Sequence, residues 1–95
     1  MTTDTGIKDR NKGGDKGTGY QEWNVILWND DHNSMAGVMQ ALMTIIGVSA
    51  EAAYKLMHTA HEKGNAVVYT GHHEPAEAHR EQLEAAGLTA TLEQA

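Results

Sequence analysis

From Trp23 to Leu92 the chain alternates short apolar runs with stretches whose apolar residues recur every three or four positions. Trp23-Asn24-Val25-Ile26-Leu27-Trp28 reads as a strand, with Trp23, Val25 and Leu27 on one face and Ile26 and Trp28 on the other. Met35, Val38, Met39, Leu42 and Ile45/Ile46 then follow helical spacing, which predicts a helix from Ser34 to about Ile46. Asn33 is its expected N-cap and Gly47 its left-handed stop. Ser49 caps a second helix reaching about Lys63, with Glu51 in its first turn favoured by the helix dipole. The apolar stripe of that helix is Ala53, Leu56, Met57 and Ala60, and His61 continues it one turn past Met57. Gly64 ends the helix, and residues 66–69 (Ala-Val-Val-Tyr) form a second strand. Pro75 fits the first turn of a third helix running to about Ala86, which Gly87 terminates. Residues 88–92 alternate cleanly and close the pattern as a last strand.

The order is β-α-α-β-α-β. Strands separated by helices in so short a span point to the α+β class: a small three-stranded sheet covered on one face by three helices. With no Phe and several Met to fill its interior, the domain is expected to be modestly stable. Residues 1–20 differ from the rest. They hold five of the ten glycines and only Ile7 and Tyr20 as sizeable apolar side chains. Such a stretch cannot bury enough surface to offset its ordering entropy, so the expected organisation is a flexible tail over 1–20 and one domain over 21–95.

Charge sharpens that division. The tail carries +1, and residues 21–95 carry −7, with three Lys/Arg against ten Asp/Glu. An acidic body argues against nucleic acid or an anionic membrane as the main partner. The chain has no cysteine, so disulfides and thiolate metal sites are excluded. The longest apolar stretch, residues 41–48, is interrupted by Thr44 and Gly47 and is far too short to span a bilayer. A soluble, cytoplasmic, monomeric protein is the expectation.

Candidate chemistry concentrates between the first strand and the first helix, at Asn29-Asp30-Asp31-His32-Asn33-Ser34-Met35. Asn and Asp are ordinary turn and capping residues, which accounts for them without any function. The second helix adds another side to the question. Met57 and His61 share a face at i, i+4 that must look inward. His61 is then either a core histidine satisfied by this corner or, with Asn29, Asp30 and Asp31, part of a set of acceptors beside an apolar hollow. Such a hollow suits a ligand cationic at one end and apolar at the other, as a free peptide N-terminus with a bulky first side chain is. His58, His61, Asp30 and Asp31 define the competing reading, a small metal-assisted hydrolase. His58 sits about 100° around the helix from Met57, on the expected solvated face. No nucleophile elbow and no phosphate-binding loop follows a strand.

These residues resemble one family in particular. Strand-Asn29-Asp30-Asp31 followed by Met35, then Leu56-Met57-x-x-x-His61-x-x-Gly64-x-Ala66-Val67-Val68, and the ending Leu88-x-x-Thr91-Leu92-Glu93, are similar to the ClpS adaptors of the Clp ATP-dependent protease. The resemblance covers residues 23–94 without a gap. It implies a three-stranded antiparallel sheet against three helices and a non-enzymatic adaptor with no cofactor. It also implies capture of proteins whose first residue is Phe, Tyr, Trp or Leu, and their delivery to the Clp AAA+ unfoldase. Asn29, Asp30, Asp31 and His61 fall where the family holds the free α-amino group. Leu27, Asn33, Met35, Val38, Met57, Ala60 and Leu88 fall where it lines the side-chain pocket. Glu74 and His79 fall where its third helix docks on the unfoldase N-terminal domain, His79 replacing a lysine. His32-Asn33-Ser34 stands where Tyr-Thr-Pro is common and resembles cyanobacterial and plastid variants, so a plastid stroma is the alternative location. Ala60 replaces the usual Val. The tail matches a mobile N-terminal extension. A ribosomal-stalk-type interaction domain shares the element order but gives no reason for an ammonium site.

Overall fold

Three antiparallel strands, with β1 in the middle, form a sheet of order β2-β1-β3 in the computed structural model, which describes residues 21–95. The glycine-rich segment 1–20, expected to be a tail, lies outside the described residues. The elements are β1 (Trp23–Trp28), α1 (Met35–Ala41), α2 (Ala50–Lys63), β2 (Asn65–Gly71), α3 (His73–Ala85) and β3 (Thr89–Gln94). The order and class are those the periodicity predicts.

Local differences have local causes. Ser34, not Asn33, caps α1: its hydroxyl accepts from the Gly37 amide at 3.0 Å, leaving the Asn33 carboxamide for a longer-range task. After Ala41 the helix widens into a π-helical turn, Leu42–Ile46, where the β-branched run Thr44-Ile45-Ile46 weakens regular helix. α3 begins at His73, so Pro75 is its third residue, still within the first turn, where its missing amide is no loss. The pairing of β1 with β2 slips between Val25 and Ile26, which face Tyr69 and Val67 and leave Val68 as the extra residue. That bulge breaks the alternation, so buried Val68 and half-buried Tyr69 both pack on the helix side.

The core lies between the sheet and the helices. It joins Val25 and Leu27 of β1 to Leu42, Ala53, Ala60, Val68, Ala76, Leu83, Leu88 and Ala90. The interior is rich in alanine rather than methionine: Met57 is buried, whereas Met35 and Met43 are exposed. Small side chains bring the helices close to the sheet and leave the few large ones, Leu42 and Leu83, as the main volume. Among the described residues no helix is long and apolar enough to cross a membrane.

Candidate functional site

Two glycine positions build the corner at which the candidate residues meet. Gly64 ends α2 with φ +95°, a left-handed conformation that side chains resist, and its carbonyl accepts the Asn29 amide at 2.9 Å. This bond draws the end of β1 onto the last turn of α2, where His61 lies. Gly87, at φ +91°, turns the chain from α3 into Leu88 and β3. Its carbonyl accepts from Asn33 Nδ2 at 2.8 Å, fixing the corner to that second turn.

Between these anchors lies a pocket of about 300 Å3. Its deep walls are the buried side chains of Leu27, Met57, Ala60 and Leu88, with half-buried Val38 beside them. Met35 stands at the opening, 54% exposed. Asn29, Asp30, Asp31, Asn33 and His61 supply the polar side. Every residue expected at the ammonium site and along the side-chain pocket therefore lines one hollow. Trp28 also lines it, which its place on the outer face of β1 did not suggest. Its indole Nε1 donates to Thr91 Oγ1 at 2.7 Å across the sheet.

The polar residues are not equivalent. His61 is exposed, not the satisfied core histidine that its stripe permitted, and lines the pocket from the last turn of α2. The side chains of Asn29 and His61 make no hydrogen bond among the described residues. Asp31 is almost fully exposed and lies 3.7 Å from the His32 ring. Asp30 is engaged instead. Its Oδ1 accepts the His32 and Asn33 amides at 2.9 and 3.0 Å, and Asn33 Nδ2 reaches Oδ1 and Oδ2 at 3.2 and 3.1 Å. Burial opposes its charge, but these donors, together with the nearby His32 ring, outweigh that and hold the Asp30 carboxyl below its ordinary value of 3.8. The sign follows: ionised Asp30 favours the folded corner above the ordinary carboxylate range, and that contribution disappears as pH falls through the lowered value. The His32 and Asn33 amide resonances are therefore expected to titrate together with a midpoint below 3.8, and Asp30→Asn to abolish that titration.

The remaining candidates lie elsewhere. His58 is exposed and stacks on Tyr54, with ring centroids 5.9 Å apart, and does not line the pocket. Among the described residues, no three His, Cys, Asp or Glu side chains converge as a metal site would need. The hydrolase reading therefore loses His58 from its ligand set. Glu74, exposed, and His79, half-buried, lie on α3 outside the pocket. His79 meets the Tyr69 ring edge-on at 4.5 Å, and its Nδ1 is buried with no partner among the described residues.

Residues 19–91 match the family model described as "ATP-dependent Clp protease adaptor protein ClpS". The chain belongs to the ClpS family. The Clp protease adapter ClpS of a Nostoc species is 41% identical over 74% of this chain and 73% of its own length. That of Mycobacterium leprae is 42% identical over 76% of this chain and 67% of its own. Agrobacterium tumefaciens ClpS2, solved bound to L-phenylalaninamide, superposes with a TM-score of 0.73 at 30% identity, covering 79% of this chain and 98% of that one. The ClpS fold, three helices on a three-stranded antiparallel sheet, is the fold described above.

Proposed function

We propose that this chain is a non-catalytic adaptor that grips the free N-terminus of proteins beginning with Phe, Tyr, Trp or Leu and presents them to a Clp AAA+ unfoldase. One observation carries this reading: Asn29, Asp31 and His61 stand at the opening of an apolar pocket of about 300 Å3, with the Asn29 and His61 side chains uncommitted among the described residues. An α-ammonium has three donors and is mostly charged at neutral pH, since its pKa is about 7.7–8.0. The Asn29 carboxamide oxygen, the Asp31 carboxylate and an imidazole nitrogen of His61 are matching acceptors. The pocket walls then take the first side chain. The L-phenylalaninamide bound by the Agrobacterium relative has the same two parts, a free amine and an apolar ring.

Magnitudes set the expected affinity. Charge-assisted hydrogen bonds contribute roughly 1.5–3 kcal/mol each. Burial of a Leu or Phe side chain adds about 1.5–3 kcal/mol. Association costs roughly 4–15 kcal/mol, so the favourable ends of these ranges, about 12 kcal/mol gained against about 4 lost, reach micromolar dissociation constants and not nanomolar ones. Delivery then requires a docking face for the unfoldase N-terminal domain, assigned here to Glu74 and His79 on α3. The expected assembly state is a monomer and the expected location the cytoplasm.

The test is a fluorescence titration with peptides that differ only in their first residue. Phe and Leu peptides are expected to bind at micromolar concentration, with or without EDTA, and an Asp peptide at least tenfold more weakly. A charged first side chain would lose water without gaining a partner among the pocket walls. Indifference to the first residue would overturn the assignment.

A further inference from the structure

The two adjacent carboxylates of the corner do different work, and the geometry points to Asn33 as the positioning residue that separates their roles. This inference rests on the degron-binding reading and extends it. Asp30 and Asp31 are equally acidic in sequence. Asp31 projects into solvent, whereas the Asp30 carboxylate is met by four N–H contacts from within the corner.

The Asn33 carboxamide nitrogen has two hydrogens and three acceptors around it. One hydrogen forks between the two Asp30 oxygens, at 3.2 and 3.1 Å, and the other reaches the Gly87 carbonyl at 2.8 Å. A single side chain thereby joins the acidic corner to the turn after α3, 54 residues away in sequence. Leu88, which follows Gly87, is a deep wall of the pocket. Asn29 and Asp31, on either side of Asp30, are at its opening. The strut thus fixes the opening relative to the wall across residues 29–34, which belong to no helix or strand.

Preorganised acceptors bind a cation more tightly because the ligand need not order them. Asp30 contributes through Asn33 and the loop, and Asp31, Asn29 and His61 make the contacts with the ammonium. Asn33 is more than a wall of the pocket. Aspartate in its place would keep the shape, remove both donors and set a second negative charge against Asp30.

The test is a double-mutant cycle on the full chain, using a fluorescein-labelled peptide with N-terminal Phe. Asn33→Ala and Asp30→Ala are each expected to weaken binding about tenfold. The double variant is expected to be no weaker than either single one, because each acts through the other. Asn33→Asp is expected to weaken binding at least as much as Asn33→Ala and to speed hydrogen exchange at the His32 and Asn33 amides, while the melting temperature stays within a few degrees. Multiplicative losses for the two sites would show that Asp30 grips the ammonium independently and would overturn the inference. Unchanged affinity in Asn33→Asp would do the same. If the original chain itself fails to bind the Phe peptide, the degron reading falls, a result distinct from any difference among variants.

Discussion

Acetylating the α-amino group of a Phe-initiated peptide is expected to lower its affinity for this chain by about a hundredfold. Acetylation removes the positive charge and two of three donors, yet leaves the aromatic side chain intact, so the pocket contribution cancels in the comparison. What remains is the ammonium. Losing even two charge-assisted bonds at about 1.5 kcal/mol each amounts to some two powers of ten. The acceptors of Asn29, Asp31 and His61 would also be covered by a ligand that cannot satisfy them. His61→Ala removes one of these acceptors from the protein side and is expected to lower affinity for the free peptide at least tenfold. For the acetylated peptide the same substitution is expected to change little. Fluorescence anisotropy with both peptides and both proteins gives the four constants. Equal binding of free and acetylated peptides would refute the ammonium site, whatever the first residue.

The second large effect is on stability. Leu83→Ala is expected to cost about 2–5 kcal/mol, towards the upper end. Leu83 is fully buried on α3 and is one of the few large side chains in a core otherwise rich in alanine. The alanines of the same core, Ala76 and Ala90 among them, have no flexible side chain with which to fill the space it leaves. A domain of about 75 residues has roughly 4–11 kcal/mol of total stability, so this one truncation brings it near the unfolding threshold. Urea titration followed by tryptophan fluorescence reads the change, since Trp23 and Trp28 both lie on the central strand. A loss under 1 kcal/mol would mean that the helices close over the gap. The modest stability expected from a methionine-filled interior therefore acquires a different cause: many small residues depend on a few large ones.

Much of this molecule was legible in its chain. Helix and strand order, the caps at Ser49, Gly47 and Gly64, and the inward stripe of α2 depend on residues within a few positions of one another. Local spacing is therefore enough to find them. Asn29, Asp31, Met57 and His61 could be nominated because their types suit a cation above an apolar hollow, and because their spacing resembles ClpS. The Asp30-x-x-Asn33 spacing is that of a carboxylate turned back on its own loop, and the turn and capping chemistry expected of residues 29–34 is what engages Asp30.

Residue type and spacing thus determined the elements and the chemical inventory of the site. The tertiary structure alone decided which carboxylate stays open, why Asn33 braces the corner instead of capping α1, and that His61 emerges at the pocket opening rather than inside the core. It also brought Trp28 to the site and put Tyr69 on the helix side through the bulge at Val68. The reason is distance along the chain. Gly87 meets Asn33 across 54 residues, and no periodicity within a helix or strand encodes a partner that only folding brings near.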